Sequence, residues 1–157
     1  MTKKILILLF ILIPIKANAL IEVDITRGNL NPLPLAVSPL SIDEESRKSF
    51  EKILKKEDIG SEISNIVENN LRTSGLFNPL SKDAFLQAPD IANLKPRFED
   101  WNLIKAQALV TGKVTYVDEK LRVEFRLWDI LAAKEMMALA FTTVPSNWRR
   151  VGHIISD

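Results

Sequence analysis

Few side chains in this sequence are of the kind that do chemistry, and each is poorly placed to do it. The 157 residues hold one histidine and no cysteine, so a zinc site of the His/Cys type cannot be assembled. His153 falls in a helix pattern near the end of the chain, and no G-x-S-x-G supplies it with a nucleophilic serine. Thr111-Gly112-Lys113 has the last letters of a phosphate loop. No glycine stands five residues before Gly112, however, and Val114 takes the place of the Ser or Thr that would meet Mg²⁺. Gly112 therefore reads as an ordinary strand glycine. Asp43/Glu44 and Glu57/Asp58 are acidic pairs in charged, solvated stretches, with no sign that two carboxylates converge. Trp101, Trp128 and Trp148 have apolar neighbours and read as packing residues rather than a stacking platform. No catalytic, cofactor-binding or metal-ligating residue is assigned, and the expectation is a binding protein without cofactor.

The N-terminal residues state a destination. Lys3 and Lys4 are followed by the apolar run from Ile5 to Ile15 and by Ala17-Asn18-Ala19, an A-x-A cleavage site; together these make a secretory signal peptide. Eleven helical residues cover only about half of the hydrocarbon thickness, so no membrane insertion is expected after cleavage. Cleavage after Ala19 removes three lysines, which takes the basic count from 21 to 18 against 20 acidic residues. A net charge of about −2 gives no general attraction to nucleic acid or anionic lipid. Without cysteine, an exported chain of this size must rely on one hydrophobic core.

Elements follow from periodicity. Ile21 to Thr26 alternates apolar and polar residues as a half-buried strand does, and Gly28 and Asn29 end it. A strand at a cleaved terminus has two competing uses: pairing with its own sheet, or adding to another protein's exposed edge. Leu35-Ala36-Val37 reads as a buried strand between prolines. Ser41 to Lys56 is rich in charge, with Glu44/Lys48 and Glu51/Lys55 at helical spacing and Phe50, Ile53 and Leu54 as a narrow apolar stripe. It is either a surface helix or disordered. Ile59, Ile63, Ile66, Val67 and Leu71 define a long amphipathic helix ending at Ser74-Gly75, with Leu76 folding back on its last turn. Gln87 to Pro96 reads as a loop, and Phe98 to Ile104 as a short helix. From Ala106 the period becomes two, giving three consecutive strands turned at Asp118-Glu119 and at Ile130–Lys134. In the second, Leu121, Val123, Phe125 and Leu127 alternate with Arg122, Glu124, Arg126 and Trp128, apolar face inward and mixed charge outward, and Met137, Leu139 and Phe141 pattern the third. Ser146 is placed to cap a last helix carrying Trp148, Val151, Ile154 and Ile155. That helix reaches Asp157 without a stop signal, so a truncated or split polypeptide is expected. The fold class is α/β, two-layered: a small mixed sheet packed on one face by two main helices.

Read in order, several segments resemble one family. Asp58 to Leu80 is similar to a helix-and-exit segment of TolB, the periplasmic component of the Tol–Pal cell-envelope system. Ile21–Gly28, Pro34–Leu40, Ala106–Val114, Phe125–Asp129 and Trp148–Asp157 resemble further TolB segments in the same order, so the likeness spans nearly all of residues 20–157. The resemblance implies a signal peptide over residues 1–19, a partner-binding strand over 20–28, and an N-terminal α/β domain over 29–157. It also implies a six-bladed propeller, not contained in these residues, that binds the lipoprotein Pal. In the family the extreme N-terminus contacts TolA, which assigns Leu20, Ile21, Glu22, Val23, Asp24, Ile25 and Thr26 as partner-binding residues. The implied role is that of a periplasmic adaptor in envelope integrity and outer-membrane constriction at division, a system also exploited by imported toxins. Two alternatives stay open. One is a stand-alone periplasmic adaptor similar to the lipoprotein activators of peptidoglycan synthases, against which the missing cysteine counts. The other is a small hydrolase working through carboxylates of raised pKa.

Overall fold

The computed structural model describes residues 31–157. The signal peptide and the strand expected over Ile21–Thr26 lie outside the described residues. The elements run β1 (Leu33–Val37), β2 (Ser41–Ile42), α1 (Glu44–Leu54), α2 (Ile59–Thr73), β3 (Phe77–Pro79), α3 (Pro89–Leu94), α4 (Phe98–Leu103), β4 (Ala108–Val117), β5 (Lys120–Asp129), β6 (Lys134–Thr143) and α5 (Trp148–Ser156). The mixed sheet has the order β3-β1-β4-β5-β6, and β2 also pairs with β4. β3, β1 and β2 run parallel to their neighbours, while β4, β5 and β6 form an antiparallel meander.

The charged stretch after Ser41 is helical. Asp43 caps α1 by accepting from the Ser46 amide at 2.8 Å, and the helix is tied down by burial of Phe50. The Phe50 ring meets Tyr116 edge-to-face at 5.5 Å. Ser46 is buried too, and its hydroxyl accepts from the Tyr116 amide. Asp58 caps α2 in the same way, through the Ser61 amide. The two acidic pairs seen in the sequence thus each spend an aspartate on a helix start. α2 ends as its sequence predicts, with Gly75 at φ 73°, a left-handed position that suits glycine. Leu76, expected to fold back, is instead exposed: its carbonyl accepts from the Leu33 amide, which sends the chain into β3 alongside β1.

Two further expectations are corrected. The predicted loop from Gln87 to Pro96 contains α3, because Pro89 opens a helix at a position where its missing N–H costs nothing. The last helix is not capped by Ser146. Pro145–Asn147 forms a 3₁₀ turn, and Asn147, at the cap position, uses its amide on Thr143 instead. The β4–β5 turn falls on Asp118 and Glu119, both at positive φ (49° and 59°), the backbone that two-residue hairpins need.

The core lies mainly between the sheet and α1, α2 and α5. Leu35, Val37, Val110, Val114, Leu121 and Val123 face Phe50, Ile59, Ile63, Val67, Trp148 and Val151. The opposite face is partly covered as well. There Leu109, Trp128 and Ala36 pack with Trp101 and Ala92 under α3 and α4, and the Trp128 indole donates to Thr111 Oγ1 at 2.9 Å. The reading of β5 as apolar inward and charged outward therefore holds as far as Arg126 and ends at Trp128.

Candidate functional site

The residues assigned to partner binding, Leu20 to Thr26, lie outside the described residues. The strand that follows them is well anchored. β1 is interior to the sheet, hydrogen-bonded to β3 and β4 on its two sides, and Leu35, Ala36 and Val37 are buried.

The side chains that could have done chemistry are dispersed and structurally engaged. The Asn70 amide donates to His153 Nδ1 at 2.8 Å and to Ser156 Oγ at 2.7 Å, a clasp between α2 and α5. Gly112 sits under the neighbouring strand, where a Cβ would collide with the Glu124 carbonyl oxygen and stand 2.8 Å from Leu40 Cδ2. Trp101, Trp128 and Trp148 are all buried, the first two on one face of the sheet and the third on the other. Burial pushes the Asp43 carboxyl up, but hydrogen bonds from Ser46 and the charge and hydrogen bond of Lys113 outweigh it and hold the group below its ordinary value. That shift is opposite to the one a carboxylate acid catalyst requires. Among the described residues, no group of three or more His, Cys, Asp or Glu side chains could hold a metal ion.

The concavity that stands out is apolar. α2 and α5 pack side by side and run parallel: Gly152 meets Ile66 and Ser156 meets Asn70, both at an offset of 86 residues. Their C-terminal ends stop above the sheet, and beside them opens a groove of about 590 Å³. The floor comes from four strands. Leu35, Ala108 and Asp129 form one row across it, and Val110, Leu127 and Met137 the next. The wall on the α5 side is Ile154, Ile155 and Asp157, and on the α2 side Val67 and Leu71. The outer lip is β6, an edge strand with Met136 61% exposed, Met137 46% and Leu139 48%. A register shift at Leu127/Trp128 turns Met136 as well as Met137 into the groove. Periodicity placed Met137, Leu139, Ile154 and Ile155 in their elements, but only the packing of α5 beside α2 over the sheet brings them to one surface. The sequence does carry one clue, the unbroken apolar run from Met136 to Phe141 on an edge strand.

Fold and surface define a class: a two-layer α/β domain that offers neighbours an apolar groove and a strand edge. The family model of the TolB amino-terminal domain matches residues 21–136, and the chain belongs to that family. Over 152 residues it is 84% identical to the Tol-Pal system protein TolB of Pelagibacter ubique (strain HTCC1062), covering 97% of this chain and 34% of that protein. The chain thus spans about a third of the length of this relative. Two solved structures share the fold. The crystal structure of TolB from Acinetobacter baumannii superposes with a TM-score of 0.61 at 21% identity, over 80% of this chain and 27% of that one. The PelC dodecamer from Paraburkholderia phytofirmans gives 0.52 at 15% identity, over 80% of this chain and 87% of that one. At such identities these two likenesses speak for the fold alone. No helix of the described residues is long and apolar enough to cross a membrane.

Proposed function

We propose that this chain acts as a non-enzymatic adaptor of the Tol–Pal system, exported to the periplasm after cleavage at Ala19. The observation that carries the reading is the 84% identity to a Tol-Pal system protein TolB over 97% of the chain. Its partner is TolA, contacted through Leu20 to Thr26. The alternating pattern of that segment suits addition to a sheet edge, where backbone hydrogen bonds give affinity and alternate side chains give specificity. The interior position of β1 supports a mechanical part of the role: force on the N-terminus reaches a strand bonded on both sides rather than a frayed edge. Pal is proposed as a partner only where the family's propeller accompanies this domain. Through TolA the adaptor serves envelope integrity and constriction of the outer membrane at division.

The test is calorimetric titration of residues 20–157 with the periplasmic C-terminal domain of TolA, beside a version that starts at Gly28. Loss of binding in the shorter version is the expected result. Equal binding by both moves the TolA site onto the folded body. Absence of binding by either, with both folded by circular dichroism, removes TolA as the partner.

A further inference from the structure

We propose that the chain self-associates through the outer edge of β6, two copies pairing antiparallel about Ala140 into one continuous sheet. The sheet has two edges, β3 and β6. β3 is three residues long and contains Pro79, so it offers almost no ladder to a newcomer. β6 is ten residues long, and among the described residues no strand pairs with its outer side. An edge strand carries a row of unpaired N–H and C=O groups, and proteins guard it with charge, proline or a bulge. In β6 those guards stand at one end. Lys134 and Glu135 open the strand, and Met136 is the extra residue of a bulge, since Leu127 faces Met137 while Trp128 faces Glu135. From Met137 to Thr143 there is no charge, proline or glycine. That leaves about 24 Å of regular, unguarded edge.

The same seven residues complement themselves. The bulge and the strand end bound the stretch, so full overlap puts the two-fold axis at its middle residue, Ala140. Leu139 then stands opposite Phe141 of the second copy, Ala138 opposite Thr142 and Met137 opposite Thr143. The larger side chains meet on one face, and aromatic–aliphatic pairs of this kind stabilise a sheet. On the other face the edge presents Ala138 and Ala140, both small and exposed. The charges of the sheet stay apart. Glu124 is registered with Ala140, Arg126 with Ala138 and Arg122 with Thr142. Glu124 is therefore three strand spacings from its counterpart, and Arg126 as far from Arg122 of the second copy. That distance is about 14 Å, beyond the screening length of about 8 Å at physiological salt. The joint brings no like charges together, and as an edge contact it belongs to the small, concentration-dependent class of interface.

Sedimentation velocity of the purified chain from about 5 to about 500 µM is expected to show monomer giving way to dimer as concentration rises. Ala140→Lys sets two lysines opposite each other on the axis, and Ala140→Glu sets two glutamates there. Each variant is expected to weaken the dimer about fivefold or more, and an equimolar mixture of the two to restore it. Ala140 is exposed, so both variants should melt close to the parent. The chain has no cysteine, which makes Ala140→Cys a reporter without background. Residues directly opposite in an antiparallel pair stand about 4.5–5.5 Å apart at Cα, within disulfide reach. Ala140→Cys should cross-link under mild oxidation, whereas Glu99→Cys, exposed on α4, should not. A chain that stays monomeric to the top of the range overturns the proposal. So does a dimer unmoved by both charge variants, a mixture that fails to restore it, or equal cross-linking of the two cysteines. A dimer lost in Ile154→Glu and kept in Ala140→Lys would place association in the groove and would equally overturn it.

Discussion

A methyl group placed on Gly60 would collide with the Leu40 carbonyl oxygen and stand 3.0 Å from the carbon of that carbonyl. Gly60 is the second residue of α2, and the atom it would strike is backbone. No side-chain rotation can relieve the contact. Nor is Leu40 free to retreat. Its amide donates to the buried Ser64 hydroxyl at 2.9 Å, and Ser64 in turn donates to the Gly60 carbonyl at 2.8 Å. The following residues, Ser41 and Ile42, are pinned to β4. On helix propensity alone Gly60→Ala should stabilise α2, by up to about 1 kcal/mol. Overpacking against fixed backbone costs about 1–3 kcal/mol and sometimes more. Because the clash is with backbone held in place, the packing cost is taken at about 3 kcal/mol, the upper end of that range, which leaves a net loss of about 2 kcal/mol. At roughly 3–5 °C per kcal/mol for a domain of this size, Tm should fall by about 6–10 °C. Two other glycines calibrate the result. A Cβ on Gly152 meets only the Ile66 side chain, at 2.9 Å to Cγ2 and 3.0 Å to Cβ; Cγ2 can rotate away, and the Cβ contact needs only a shift of a few tenths of an ångström between α5 and α2. A Cβ on Gly75 meets nothing within 4 Å, but the φ of 73° remains, worth about 1–2 kcal/mol against a side chain. Urea denaturation of the three alanine variants, read at constant m-value, should rank Gly60→Ala as the most destabilised. An unchanged or raised midpoint for Gly60→Ala would refute the reasoning, because propensity would then outweigh the contact with Leu40.

Two other predictions concern polar groups. Gln87 is buried, and its Oε1 accepts from both the Trp101 indole and the Arg97 amide. Gln87→Leu strands those two donors and should cost about 1–3 kcal/mol by urea denaturation, although it also removes the unpartnered Gln87 Nε2. A neutral result would mean that the two donors find other acceptors. The folded-state pKa of Asp43 is depressed, so its contribution is fully present above the unfolded value and is lost as pH falls through the folded one. Stability should therefore decline on acidification below about pH 4. In Asp43→Asn, which keeps a capping oxygen but has no charge to titrate, the decline should be shallower. The side chain is 40% exposed, so the difference should be no more than about 0.5 kcal/mol. Midpoints of the two proteins that fall in parallel from about pH 6 to about pH 3 would assign the acid sensitivity elsewhere.

Much of the architecture was legible in the chain because local rules decide it. The stripe from Ile59 to Leu71, the glycine stop at Gly75 and the period of two from Ala108 onward are one-dimensional signals, and α2, β4 and β5 appear where they point. The family was legible too, in ordered segments from Ile21 to Asp157, and the family match over residues 21–136 agrees. Other features depended on contacts that a sequence does not display. Whether Ser41–Lys56 would be helix or disorder turned on one buried ring, Phe50, finding Tyr116 far downstream in β4, and on Ser46 accepting from the Tyr116 amide seventy positions away. The helix at Pro89–Leu94 was hidden because proline punctuates a loop and opens a helix with equal ease. Trp128, on the charged side of its strand pattern, is buried only because α3 and α4 cover that face and Thr111 offers its indole an acceptor. The groove is the clearest case. The residues around it were placed in their strands and helices by pattern alone, but exposure is a property of what lies above them. That was set by the parallel packing of α5 on α2 beside the sheet.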